Sequence, residues 1–259
     1  MAAASGYYRP GASWLHRRNP VTKLLALLLV VVAAFLLPPI SLPVLLALLV
    51  VLAATCSLAG AVARTLRIPA LLLISILLVN AFFFPGATNR IAGVGPFWIT
   101  SEGLAFGLNA AGRLIVAFVA SVLFLQTTLA DDLLETLISR GVSYRISFVV
   151  LAAVQMVPRL QERAGSILEA QQARGLAISG SFRVRLRALV PLIGPVLLGS
   201  LIDVRERTFA LEARGFGALP GRTAYRRVAD PPLDRVLRPL LLLAMLGVVA
   251  VALFGLPRF

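Results

Sequence analysis

The sequence predicts an all-α integral membrane protein: about five transmembrane helices plus a cytoplasmic or interfacial region of amphipathic helices. Three observations carry that reading. Of the 259 residues, 59% are hydrophobic and the mean hydropathy is +0.92, whereas soluble domains are roughly half apolar. Apolar runs long enough to cross a bilayer recur along the chain. The charge is also segregated: sixteen of the 25 Lys and Arg residues and ten of the 11 acids fall between Asp131 and Pro239. That stretch must be largely outside the hydrocarbon. The net charge of +14 then sets orientation and contact with anionic headgroups. It does not indicate nucleic acid, because the cations lack the aromatic interleaving of single-strand sites.

The elements follow in order. Residues 1–20 are polar, basic and turn-rich, and Trp14-Leu-His-Arg-Arg-Asn-Pro-Val-Thr-Lys23 leads into the first apolar run. Val21–Leu37 is that run, stopped by Pro38-Pro39, which cannot continue a helix. Its length and the lack of a small-residue cleavage site argue against a signal peptide. A second run covers Ile40–Ala63, and Arg64 and Arg67 bracket the next connection. Ile68–Phe84 is the third, ended by Pro85-Gly86, and Leu104–Leu129 the fourth, interrupted by Arg113. The loop between them, Gly86–Gly103, carries only Arg90 and Glu102 as charges, with Phe97 and Trp98 suited to an interface. The last run is Val236–Leu256. The domains expected are a membrane domain over 1–130 (helices at about 21–37, 40–63, 68–84 and 104–129), a cytoplasmic domain over 131–235, and a C-terminal span in 236–259. The positive-inside bias puts the N-terminus, the Arg64/Arg67 connection and the charged region in the cytoplasm, with the Arg90 loop and the C-terminus outside.

Within the charged region, Asp131–Ser139 reads as a short amphipathic helix. Its two leading carboxylates suit the helix dipole, and Leu133, Leu134, Leu137 and Ile138 give it one apolar face. Two longer arms follow. Ile146–Val157 is apolar but too short to span, and after Pro158 the chain turns charged up to Ala173-Arg174-Gly175. Ala188–Ile202 repeats the plan up to Ala213-Arg214-Gly215, forty residues after the first copy. Pro158, Pro191 and Pro195 are expected to bend these arms.

The candidate sites are few. Arg174 and Arg214 admit two readings. One is ordinary helix termination, a cation at the C-terminal dipole followed by left-handed Gly. The other, favoured by the duplication, is a pair of prongs: a small Ala entering a groove, a planar five-donor guanidinium, and a Gly that turns the chain away. Arg113, in a span without an acid to pair it, is either a polar anchor or part of a transport cycle. His16 could be a pH switch, but its segment reads better as an interfacial anchor. Glu169, Glu206 and Glu212 lie among Arg163, Arg205 and Arg207 at helical spacing and read as solvated ion pairs, not as acid–base groups. One Cys and one His exclude a disulfide framework and a multi-His metal site built by this chain. No Gly-Lys-Ser/Thr phosphate loop is present. No cofactor or metal is expected, and any ATP must be bound by another subunit.

The chain resembles the transmembrane T component of energy-coupling factor (ECF) transporters, the group that includes cobalt- and biotin-type T subunits. The likeness lies in Ser13-Trp-Leu-His-Arg-Arg-Asn-Pro-Val-Thr-Lys-Leu-Leu25, Thr127-Thr-Leu-Ala-Asp-Asp-Leu-Leu134, Gln171-Gln-Ala-Arg-Gly175, Ala210-Leu-Glu-Ala-Arg-Gly-Phe-Gly217 and Arg222-Thr-Ala-Tyr225. It thus runs along nearly the whole chain, and the paired Ala-Arg-Gly boxes are its specific part. Arg18 departs from the apolar residue the family commonly has there. The resemblance implies a non-catalytic scaffold in a bacterial or archaeal cell membrane. It would join two ABC-type ATPase subunits to a small membrane substrate-binding S component, with Arg174 and Arg214 docked in grooves of the ATPases. ATP-driven motion would then release a vitamin or transition-metal ion inside the cell, and the S component would choose the substrate. The rival reading, a self-sufficient permease or channel, calls for polar or broken-helix sites at mid-membrane, which only Arg113 and Asn109 approach.

Overall fold

Asn19 starts the first helix. Its side-chain Oδ1 accepts the Val21 N–H at 3.1 Å, and Pro20 occupies the first helical position, where a missing N–H costs nothing. The computed structural model describes residues 8–11, 13–85, 89–94, 97–176, 181–216 and 228–254. Among these the elements are α1 (Pro20–Leu36), α2 (Ser41–Thr55), α3 (Ala59–Thr65), α4 (Arg67–Phe83), β1 (Arg90–Val94), β2 (Phe97–Thr100), α5 (Ser101–Thr127), α6 (Ala130–Ile138), α7 (Tyr144–Ala173), α8 (Phe182–Ala213) and α9 (Pro232–Phe254). Gly217 and Arg222–Tyr225 of the sequence boxes lie outside the described residues. The chain forms two units, Met1–Thr136 with Val228–Phe259, and Leu137–Arg227.

The first unit is built around α5. Val116 and Val119 are 1% exposed, and with Ala120, Val122 and Leu123 they meet Ala34 of α1, Leu42, Leu49 and Ala53 of α2, and Val62 of α3. Small residues let α4 come close to α5. A Cβ on Gly103 would sit 2.3 Å from the Asn80 carbonyl oxygen, and one on Gly107 would sit 3.3 Å from Leu77 Cα. Such backbone approach is how helices pack where lipid removes the hydrophobic drive between them.

Two local expectations are corrected. The run Ile40–Ala63 is not one helix: α2 ends at Thr55 and Ser57 adopts φ +58°. The Leu58 N–H then bonds to the Ala53 carbonyl at 2.9 Å and the Ser57 N–H to that of Ala54 at 3.0 Å. This is a Schellman cap built on a serine where glycine is the usual residue. Arg64 and Arg67 do bracket the next connection, but it is a bend, not a loop. They lie in α3 and α4, which are separated by Leu66 alone and bent by 55°. In the loop Gly86–Gly103, β1 and β2 form an antiparallel hairpin pairing Gly93 with Trp98, a small addition to a helical fold.

By length and composition α5 and α9 can each cross a membrane, and α3 with α4 passes as one bent span. The apolar α1 and α2 are shorter, at 17 and 15 residues.

In the second unit, α7 and α8 are antiparallel. Tyr144 and Phe148, at the start of α7, stack on Phe216 just past the end of α8, with ring centroids 5.2 and 4.9 Å apart. Further along, Arg163 of α7 meets Asp203 of α8. Both helices run unbroken through Pro158, Pro191 and Pro195, so each apolar stretch and its charged continuation form one rod.

Candidate functional site

The two Ala-Arg-Gly boxes end α7 and α8 with the same geometry. Arg174 has φ −87°, ψ 8°, and Arg214 has φ −87°, ψ 2°. Gly175 and Gly215 follow at φ +92° and +70°, the left-handed region that glycine enters without a Cβ clash. At the first end the Leu176 N–H bonds to the Gln171 carbonyl at 3.0 Å and that of Gly175 to Gln172 at 2.9 Å. At the second, Phe216 bonds to Leu211 at 2.9 Å and Gly215 to Glu212 at 2.9 Å. Both are Schellman caps. The cap reading of these residues is therefore correct for the backbone, and it leaves both side chains available. Arg174 and Arg214 are exposed, and neither guanidinium has an ion-pair or hydrogen-bond partner among the described residues.

The structure does not bring the two arginines together. Arg214 lies next to Phe216, which is held against the start of α7, while Arg174 is at the far end of that helix. Thirty residues at the α-helical rise span about 45 Å. The same donor group is therefore presented at two well-separated points.

Between them, Arg163 ties the rods together. Its Nη1 and Nη2 lie 2.7 and 3.0 Å from the two carboxylate oxygens of Asp203, the fork-on-fork geometry that favours arginine. Gly199 makes room, since a Cβ there would be 3.0 Å from Arg163 Nη1. The hydrogen bond from Arg163 holds the Asp203 carboxyl below its ordinary range, and the same bond raises the guanidinium. Met156, Arg159, Leu160, Glu206 and Arg207 complete a cleft of about 500 Å³ around the pair. Among the described residues no ion pair joins Glu169, Glu206 or Glu212 to an arginine of the same arm. Among the described residues the ion pair of these arms runs across the helices, because Arg163 and Asp203 face one another there.

The remaining candidates are placed as follows. Arg113 is midway along α5 and half-buried, and its Nε is buried without a hydrogen-bond partner among the described residues. His16 is a local tie, with Nδ1 2.6 Å from the Ser13 hydroxyl and Nε2 3.1 Å from the Arg9 carbonyl. The carbonyl can only accept, so the Nε2 N–H donates to it. Trp14 is 46% exposed with the Arg18 guanidinium 6.0 Å above its ring, a cation–π contact that fits a headgroup-level anchor. Sequence reasoning missed Asp234, which is fully buried at the start of α9 and accepts the Asn19 N–H. Its partner is 215 residues away, and no local pattern signals such a pair.

Comparison with known proteins agrees with this architecture. The family described as "Cobalt transport protein" (CbiQ) matches residues 11–225. The chain is 34% identical to the energy-coupling factor transporter transmembrane protein EcfT of Heliobacterium modesticaldum, over 85% of this chain and 86% of that protein. It is 32% identical to the EcfT protein of Bacillus selenitireducens, over 96% and 97%. It is 28% identical to that of Acidaminococcus fermentans, over 97% of each.

Proposed function

This chain belongs to the CbiQ family of transmembrane components of energy-coupling factor transporters, and on that footing we propose that it transmits ATP-driven motion from two ABC-type ATPase subunits to a membrane substrate-binding S component. It is a membrane subunit of a transporter complex, not a catalytic enzyme. The observation that carries the proposal is a pair of exposed arginines, without a partner among the described residues, in one backbone conformation at the ends of two antiparallel rods. Two equal plugs about 45 Å apart suit two similar sockets on two subunits better than one site on one subunit. Ala173 and Ala213 keep each helix end slim, and Gly175 and Gly215 turn the chain away. Each Arg then has five donors for carboxylates and carbonyls in the groove.

The rods are rigid enough to transmit a displacement because the Arg163–Asp203 pair and the Tyr144–Phe148–Phe216 cluster hold them at two points. Their apolar parts, including Val149, Val154, Val157, Leu197, Leu198 and Leu201, are exposed. These suit a neighbouring membrane subunit or the bilayer, and the S component binds the transported vitamin or metal ion. We further propose five crossings, by α1, α2, α4, α5 and α9, with the N-terminus and the charged region cytoplasmic and the C-terminus outside. The positive-inside bias supports this topology, and α3 with Arg64 and Arg67 then lies at the cytoplasmic face. Arg113 is a polar anchor within α5, where a buried Nε without a hydrogen-bond partner among the described residues suits a ligand from water or a neighbouring subunit.

The test is co-purification with the two ATPases and uptake by the assembled complex. Arg174→Ala and Arg214→Ala should each weaken assembly, and the double variant should lose it. Normal uptake by the double variant would overturn the proposal.

A further inference from the structure

The residues from Arg18 to Lys23 do more than start α1. The Lys23 ammonium, buried, donates to the Thr127 carbonyl at 2.7 Å. Thr127 is the last residue of α5, so its carbonyl is one of those an α-helix leaves without an internal partner, and a cation is the group the helix dipole favours there. Four residues earlier, the Asn19 N–H donates to Asp234 Oδ2 at 2.9 Å, and the Asn19 side-chain amide donates to the Ala229 carbonyl at 3.4 Å. Arg18 Nη1 lies 3.7 Å from Asp234 Oδ1. Asp234 is in the first turn of α9 and fully buried, a position where a carboxylate suits the dipole. One turn on, Arg238 Nε donates to the Thr22 hydroxyl at 3.0 Å and its guanidinium pairs with Asp230.

These bonds share a topological meaning. Thr127 ends the last long helix before the chain leaves this unit after Thr136, and Ala229 to Asp234 lie just after it returns at Val228. The two points are about a hundred residues apart in sequence, yet one turn of α1 holds both. Asn19, Thr22 and Lys23 follow the i, i+3, i+4 spacing that puts side chains on adjoining parts of one helix surface. The hold is made of buried charge and backbone groups. Such bonds are costly to break one at a time, because each leaves a desolvated partner behind.

We propose that Asn19, Lys23 and Asp234 are positioning residues, forming one clasp that fixes both chain crossings so that motion of the arms is passed to the membrane helices and not absorbed at the junctions. The proposal rests on the coupling role given above for α7 and α8. Its test uses the complete transporter carrying Lys23→Met or Asp234→Asn, and reads ATP hydrolysed per substrate molecule taken up. The expected result is that both ATPases still co-purify and hydrolysis continues, while that ratio rises at least tenfold. Lys23→Arg, which keeps a cation in place, should bring the ratio back toward the unsubstituted value. A residue needed for folding alone would lower hydrolysis and uptake together with the yield of complex. An unchanged ratio in both variants overturns the clasp.

A second measurement reads the clasp without the partner subunits. In the membrane-embedded chain, amide hydrogen exchange is followed at 128–131 and 229–234. Either substitution should speed exchange at least tenfold at both junctions. Loosening of only the junction next to the substituted residue would overturn the idea of a single clasp. Loss of the ratio effect because the ATPases never associate would sink the coupling role, and the exchange result would still decide the clasp.

Discussion

The membrane unit and the arm unit use the same apolar residue types to opposite ends. In the first unit, Ala34, Val116 and Val119 are almost completely buried around α5, and Gly103 and Gly107 draw α4 in to backbone distance. In the second, among the described side chains only Ser147 and Leu192 are buried, while Val149, Val157, Leu198 and Leu201 stay exposed on rods of 30 and 32 residues. The arms are held by an ion pair and a ring cluster where the membrane unit has a core. The first unit thus has a core of its own, whereas the second has exposed apolar rods and arginine tips without a partner among the described residues, as the proposed coupling role requires.

Substitutions should therefore fail in different ways in the two units. The largest effect is expected from the Arg174→Ala and Arg214→Ala double variant, with uptake at background and the ATPases lost, while thermal unfolding of the detergent-solubilised chain is unchanged. A lowered Tm instead would mean that these residues serve the fold. The converse case is Gly103→Ala, where the new Cβ meets the Asn80 carbonyl oxygen. It should destabilise the membrane unit by about 1–3 kcal/mol, as overpacking does, and lower the yield of folded chain; an unchanged Tm would refute the close α4–α5 packing.

A smaller effect is expected from Asp203→Asn, which removes the tie between the rods but neither tip. The ATPases should remain bound while uptake falls several-fold, and loss of the ATPases would show that the pair shapes the tips. Because Arg163 holds the Asp203 carboxyl below its ordinary range, the pair contributes fully above the unfolded carboxylate value of about 4. That contribution is lost only as pH falls through the still lower folded value. The raised Arg163 group loses its share only as pH rises through a still higher value. Uptake by the unsubstituted complex should thus show no transition from this pair between about pH 5 and 9. The smallest change is Gly175→Ala or Gly215→Ala. Each places a Cβ at positive φ and should cost about 1 kcal/mol, seen as faster amide exchange in the last turn of one rod.

Much of the molecule was legible in order along the chain. Apolar runs, the Pro38-Pro39 stop, the acidic start of α6 and both Ala-Arg-Gly ends are local signals, carried by neighbours a few residues apart. The break at Ser57 was not legible, because serine has no strong preference for the left-handed region and the apolar pattern continues through it. The hairpin at Arg90 was hidden by a loop too short and mixed to show alternation. Arg163 has no acid three or four residues away along α7, and only the antiparallel approach of α8 brought Asp203 to it. Asp234 read as one more charge before the last span until the fold brought Asn19 to it.

By itself, then, the sequence determined the membrane class, the segregation of charge and the two arginine tips, since hydropathy, charge placement and caps are properties of contiguous residues. Tertiary structure alone decided that the tips lie at opposite ends of antiparallel rods, that Arg163 of one rod meets Asp203 of the other, and that the first turn of α1 bonds both to the end of α5 and to the start of α9. Each depends on which distant segments meet, and burial then makes a particular pairing of charges and backbone groups worth more than its alternatives in water.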